Sequence, residues 1–340
     1  MKELVIREND GDQRLDRFLK KLFKRASLGT IYKIIRKDIK VNGKRVGESY
    51  LLKDGDLISI YLNDDVFSAY TLKDNSRDRI RSRARRNFKI EYEDDNILIA
   101  NKPFGLLTHG DSKEKKNHLA NQVVDYLIEK GDYNPRERTF TPAPANRLDR
   151  NTTGLVIFGK NAMAMRELNR MIKGDFLRKF YETIVNGIIE DECVLRGYLY
   201  KDERSNMVFI KPIIDKNLEN SDLSSGKEVI TVVKPIEKFR DKTLVRVELV
   251  TGRSHQIRAH LASIGHPIIG DVKYSGKELD LQKKFNLNTQ LLHSTRIEFK
   301  EEIRNEFVRL GYLAGESIDA KLPEEFKKIE DYLRRVYIDE

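Results

Sequence analysis

The sequence predicts an α+β protein of two domains: a small α/β module at the N-terminus and a large mixed-sheet domain behind it. The chain has 340 residues, more than one compact unit usually holds. Within residues 1–62 the apolar spacing runs from helical to strand-like, while from 88 to 340 strand and helix patterns alternate throughout. Between them, residues 63–87 are polar and aperiodic and end in six arginines from Arg77 to Arg86, which reads as a basic linker that orders on a polyanion.

In the small module, Leu15, Phe18, Leu19 and Leu22 share one helical face, with Asp12 as the expected N-cap. Leu28, Ile31, Tyr32 and Ile35 repeat that spacing after Ser27, a second N-cap. Ile39-Lys40-Val41, Asn42-Gly43 and Lys44-Arg45-Val46 read as a hairpin about a type I′ turn, and Leu57 to Leu62 as a closing strand. In the large domain, Phe88–Tyr92 and Ile97–Ala100 flank an acidic turn at Asp94-Asp95. Val123, Tyr126 and Leu127 mark a helix ending at Gly131, and Met165, Leu168 and Ile172 one ending at Gly174. Leu155–Phe158, Leu244–Leu249 and Gln290–Phe299 read as strands.

Hydrophobic residues make up 39% of the chain, enough for real cores. No apolar run reaches the roughly 18 residues of a membrane-spanning helix, and charge returns too early after Met1 for a signal peptide. Cys193 is the sole cysteine, so neither a disulfide framework nor a cysteine zinc site is available, and a reducing cytoplasm fits best. Lys plus Arg number 64 against 54 Asp plus Glu, a net charge of +10. The excess is clustered, as a polyanion partner requires, on faces that include Lys33, Arg36, Lys37, Lys44 and Arg45. Solvation alone accounts for a charged helix face about as often.

Phosphate-loop and dinucleotide glycine fingerprints are both missing, so a nucleotide cofactor lacks support. His255 and His260 lie five apart, about 140° around a helix and on the wrong sides for one zinc, so no metal is expected. The segment that stands out is Ala145-Asn146-Arg147-Leu148-Asp149-Arg150-Asn151-Thr152-Thr153-Gly154, a carboxylate between two arginines on a loop feeding a buried strand. Taken alone, such a segment is more often a salt-bridged turn, and exposed pairs of this kind contribute only about 0–1 kcal/mol.

This segment resembles the signature loop of the RluA-type pseudouridine synthases, written H-R-L-D-[RK]-x-T-S-G. The resemblance continues, in the family's order, at Asn101-Lys102-Pro103-x-Gly105 with His109 nearby, and at Lys179-Phe180-Tyr181. It extends through Thr251-Gly252-Arg253-Ser254-His255-Gln256-Ile257-Arg258-Ala259-His260 and Gly265-His266-Pro267 to Gly270-Asp271. The small module resembles the S4-like RNA-binding domain through Arg14-Leu15-Asp16-Arg17-Phe18-Leu19, the helix after Ser27, and Ile39 to Lys44. Together they imply the RluC/RluD-like branch, with an S4-like domain over 1–62, a basic linker over 63–87 and a catalytic domain over 88–340.

The resemblance implies a cofactor-independent isomerase that converts uridine to pseudouridine, with ribosomal RNA or a pre-ribosomal particle as partner and the monomer as working unit. It assigns Asp149 as catalytic carboxylate, Arg258 as its paired cation and Tyr181 as the ring stacked on the target base. An ionised aspartate is available at neutral pH, since its reference pKa is about 3.9. With Ser254 as N-cap, Arg258 falls in the first turn of its helix, where the dipole disfavours a cation by roughly 0.3–1 kcal/mol. Arg147, Arg150 and Arg253 are expected at phosphates, or equally in ion pairs within their loops; Lys102, His109 and His255 are weaker candidates, and Asp271 reads as structural. Asn146 stands where the family has His. The alternatives are a non-catalytic RNA-binding or ribosome-assembly factor and a synthase acting on transfer RNA.

Overall fold

A computed structural model of the chain describes residues 1–71, 86–135, 137, 139–202, 207–213 and 226–336. The small body holds strand β1 (Lys2–Val5), helices α1 (Leu15–Leu22) and α2 (Leu28–Asp38), and strands β2 (Ile39–Val41) and β3 (Leu57–Ile60), in the sheet order β1-β3-β2. Leu15, Phe18, Leu19 and Leu22 are all buried, as their spacing requires. Ser27 caps α2 by accepting from the Thr30 amide at 3.1 Å. Arg14, rather than Asp12, is the N-cap of α1; Asp12 lies in the left-handed region at φ 53°.

Asn42 and Gly43 both have positive φ, 49° and 76°, as a type I′ turn demands. Val41 and Lys44 pair across the turn, but the second arm does not continue as a strand beyond that bridge, and β2 pairs along its length with β3. The stretch read as linker opens with a helix, α3 (Asp64–Tyr70). Asn63 caps it through the Val66 amide at 2.8 Å, and Phe67 and Tyr70 set their rings edge-on to Phe23 at 5.5 and 6.2 Å. An N-cap Asn followed by two acids and an i, i+3 aromatic pair is a helix start that its polar composition masked. Arg77 to Arg85 lie outside the described residues.

The large body is an eleven-stranded mixed sheet among the described residues. Its chief strands for the site are β4 (Lys89–Glu93), β5 (Ile97–Lys102), β7 (Thr153–Gly159), β8 (Leu177–Asn186), β12 (Lys242–Leu249) and β13 (Leu292–Phe299). The short β6 (Ala143–Pro144) and β14 (Ser317–Asp319) flank them, and β9 (Cys193–Asp202), β10 (Met207–Pro212) and β11 (Lys227–Lys238) extend the far edge. The order across the sheet is β10-β9-β11-β12-β8-β13-β7-β5-β4. Strands β5 and β7 are buried on both faces, and alternation divides them between two cores. Leu98, Ala100, Val156 and Phe158 enter one; Ile97, Ile99, Leu155 and Ile157 enter the other.

Helix α4 (Leu119–Lys130) ends at Gly131, left-handed at φ 87°, and α5 (Ala162–Lys173) ends at Gly174. The helix that matters most for the site is α6 (Gln256–Ser263), packed on β10 and β11. The two bodies touch at the start of α5, where Asn9 accepts from the Ala162 amide at 3.0 Å and Arg166 donates to the Gly11 carbonyl at 3.3 Å.

Candidate active site

The loop ahead of β7 is held by main-chain contacts from several directions. Thr108 donates to the Leu148 carbonyl at 2.9 Å and accepts from its amide at 3.1 Å. The fully buried Lys102 donates to the Arg150 carbonyl at 2.9 Å, and the Thr152 amide returns to the Asp149 carbonyl at 3.1 Å. Where the loop enters the sheet, β7 runs parallel to β13. Gly154 has φ +107°, and a Cβ there would lie 2.2 Å from the Ser294 carbonyl oxygen, so only glycine fits. Asn146 accepts from the Ile157 amide at 2.8 Å and donates to the Leu155 carbonyl at 3.3 Å. It fastens the loop to β7 and does not line the pocket. Its departure from the family pattern therefore bears on how the loop is tied down.

Asp149 emerges from this loop into an open pocket lined also by Arg147, Leu148, Thr152, Tyr181, Leu249, Arg253, His255, Gln256, Ile257, Arg258 and Leu292. Residues 109 apart in sequence meet here: Arg258 donates through Nη1 to Asp149 Oδ2 at 3.1 Å. The opposite side of the guanidinium grips Asp271 in a bidentate pair, Nε to Oδ2 at 2.6 Å and Nη2 to Oδ1 at 2.8 Å. Burial works against the Arg258 charge, but Asp271 and then Asp149 outweigh it and hold the group above its ordinary value. Asp271 is thus more than a turn residue: it is buried and fixes the cation that meets Asp149. Tyr274, which sequence patterning gave no reason to single out, lies with its ring 5.0 Å from the guanidinium and contacts His255 Nδ1 at 3.0 Å.

His255, and not Ser254, is the N-cap of α6, with a left-handed φ of 54°; Arg258 remains in the first turn. The His255 ring comes within 3.8 Å of Asp149, but burial pushes its pKa down, so Arg258 is the permanent cation of the pair. Gln256 secures the helix start: it donates to the Ile230 carbonyl and Thr231 Oγ1, both at 3.0 Å, and accepts from the Arg253 amide at 3.1 Å. His260 is buried against Thr231, and burial drops its pKa to about 4, a neutral core histidine. Among the described residues no group of three or more His, Cys, Asp or Glu could hold a metal ion.

Tyr181 sits mid-strand in β8, paired with Val247 on one side and Ser294 on the other. The residue is 4% exposed and lines the pocket. Burial, with the Asp149 charge adding to it, pushes the phenol to about 12, so it stays neutral. Arg147 and Arg253 are exposed, line the pocket and make no ion pair among the described residues. Arg150 instead faces Asp111 at 3.1 Å and contributes its carbonyl to Lys102. His109 is exposed, and desolvation and then Arg147 push it below its ordinary pKa. Lys33, Arg36, Lys37, Lys44 and Arg45 lie on the separate small body, all exposed.

Residues 96–263 match the RNA pseudouridylate synthase family. The chain is 34% identical to the ribosomal large subunit pseudouridine synthase C of Buchnera aphidicola, over 87% of this chain and 88% of that one. It is 31% identical to the protein of the same name from Vibrio parahaemolyticus, over 90% of each. The solved structure of human RNA pseudouridylate synthase domain containing 4 shares the fold, with a TM-score of 0.57 at 18% identity over 76% of this chain and 95% of that one. A strand-borne tyrosine, a loop aspartate and a helix arginine converge on one pocket in a chain with these relatives: it belongs to the RNA pseudouridine synthase family.

Proposed function

We infer that this protein isomerises specific uridines of large-subunit ribosomal RNA to pseudouridine, with Asp149 as the reacting carboxylate. The observation that carries the reading is the Arg258–Asp149 contact of 3.1 Å at a pocket that Tyr181 also lines. The bacterial relatives bear large-subunit names, which supports ribosomal RNA as the substrate.

The reaction breaks the bond between base N1 and ribose C1′, turns the base, and forms a bond from C5 to C1′. The C5 proton leaves and N1 gains one, so no net oxidation occurs and no cofactor is required. The carboxylate acts on the sugar, either by attacking C1′ or by removing the C2′ proton. Arg258 supplies the positive charge that faces it when the nucleotide closes the pocket and water leaves. Tyr181 offers its ring face to the extruded base, a contact worth about 1–3 kcal/mol, against a flipping cost of a few kcal/mol. Unpaired uridines are therefore the favoured targets.

Arg147 and Arg253, at the pocket and without ion-pair partners among the described residues, supply positive charge for the flanking phosphates. The S4-like reading of the small body assigns Lys33, Arg36, Lys37, Lys44 and Arg45 to a second, sequence-independent RNA contact. The same reading has the protein working as a monomer in the cytoplasm, where its lone Cys193 stays reduced.

The test is Asp149→Asn, assayed on large-subunit RNA from cells lacking the protein by carbodiimide labelling and primer extension. Wild type restores specific stops; the variant folds, binds RNA and restores none. Normal modification by Asp149→Asn would refute the assignment.

A further inference from the structure

We propose that Phe104 is a stacking contact for an RNA base beside the target uridine, presented on a turn whose backbone the protein holds fixed. The inference rests on the RNA-modifying reading above and extends it to the recognition of neighbouring nucleotides.

An exposed apolar side chain is common and carries no message by itself. Phe104, at 62% exposure, is notable for where it lies. Strand β5 ends at Lys102, whose register partner across the sheet is Gly154 at the start of β7. The Pro103-Phe104-Gly105 turn therefore leaves the sheet at the end from which the Asp149 loop enters it.

That turn is unusually well secured for one that carries an exposed ring. The Lys102 ammonium, fully buried, donates to the carbonyls of Pro103 at 3.2 Å, Leu106 at 2.7 Å and Arg150 at 2.9 Å. Three donors meet three acceptors, two from the turn and one from the residue after Asp149. Gly105 takes φ +77°, Leu106 is buried, and Thr108 is tied to Leu148 at 2.9 Å. Both legs of the turn are anchored, and the second is anchored to the catalytic loop itself.

An aromatic ring on a fixed backbone binds at low entropic cost, since few torsions remain to be ordered. When a uridine leaves its stack, the neighbouring base loses a partner and exposes a π-face. Every base has such a face, so the contact tolerates sequence variation. Arg147, exposed at the pocket, supplies cationic charge for the same stretch of backbone. An RNA base is thus the occupant that the surroundings favour over an apolar protein patch.

The experiment uses the full-length protein and large-subunit ribosomal RNA carrying tritium at uridine C5, which is released as the new carbon–carbon bond forms. Phe104→Ala should raise KM about tenfold and leave kcat within about twofold, because stacking outside the reacting nucleotide is uniform binding. Phe104→Tyr should return KM to the wild-type value, and Phe104→Leu, apolar but without a π-face, should not. An unchanged KM in Phe104→Ala, or equal rescue by Leu and Tyr, overturns the proposal while the enzyme reading stands. A Phe104→Ala protein that unfolds at a lower temperature and is not restored by Tyr also overturns it. If wild type releases no tritium from this RNA, the functional reading fails and this inference fails with it.

Discussion

Arg258 holds Asp271 with two hydrogen bonds and meets Asp149 with the one guanidinium nitrogen that remains. The two carboxylates differ in surroundings: Asp271 is 1% exposed in its side chain, Asp149 24%. Removing each should therefore have a different effect. Asp271→Ala leaves a buried arginine half-paired, and breaking a buried pair on one side costs about 3–5 kcal/mol. Asp149→Asn keeps the buried pair intact and should cost under about 1 kcal/mol. Urea unfolding separates the cases: a large drop in midpoint for Asp271→Ala, and a small one for Asp149→Asn with all pseudouridine formation abolished. Equal stability losses would show that Asp271 is not the anchor.

Tyr181 should act through its ring. Its phenol is pushed to about 12, chiefly by burial, so it does not ionise in the working range. Tyr181→Phe is expected to show the same pH dependence as wild type between pH 6 and pH 10, tested by initial rates on one RNA. Tyr181→Leu should weaken the transition state by about 1–3 kcal/mol, because the base no longer has a ring to stack on. A pH limb that vanishes in Tyr181→Phe would instead give the hydroxyl a proton-transfer role.

The central strands, as short continuous apolar runs, and the helix ends at Ser27, Gly131 and Gly174 were legible in the sequence because they rest on local composition and spacing. The edge strand β1 and helix α3 were not: Lys2–Val5 is too short and too charged to show a period, and α3 sits in a polar run. At the site, Asp149, Tyr181 and Arg258 came from motif resemblance, since nothing local says that residues 149 and 258 meet. Asp271 was undervalued for the same reason. A carboxylate after a glycine reads as a turn until the arginine thirteen residues earlier is seen to fold back on it. Lys102 gave no local hint of burial, because a lysine at a strand end is ordinarily solvated.

Lys102 should make folding stability depend on pH. Burial pushes its ammonium to about 7, against 10.5 for a free lysine, though Asp149 pulls the other way. Between those values the unfolded chain binds more protons than the folded one, so stability rises with pH across that window, by up to about 1.4 kcal/mol per unit. The three carbonyl acceptors favour the charged form and will narrow the window from below. Lys102→Met removes the titrating group. Urea midpoints from pH 7 to pH 10 should climb more steeply for wild type than for the variant, and parallel curves would show that the lysine keeps its proton throughout.

The basic surface of the small body should announce itself in the salt dependence of RNA binding. Each phosphate that a cation neutralises releases condensed counterions, contributing about 0.7–0.9 to the slope of log affinity against log salt. Lys33, Arg36 and Lys37 lie on the exposed face of α2 and make no ion pair among the described residues, so replacing all three with Gln removes charge without disturbing the packing of the fold. The triple variant should bind large-subunit RNA more weakly at low salt, as measured by filter binding across potassium chloride. Its slope should be shallower by up to about 0.9 for every phosphate left without its cation. Its kcat at saturating RNA should match wild type, because these side chains lie on a different body from Asp149. If the slope were unchanged, the small body would not be gripping phosphates, and the pocket arginines would have to account for the electrostatic attraction.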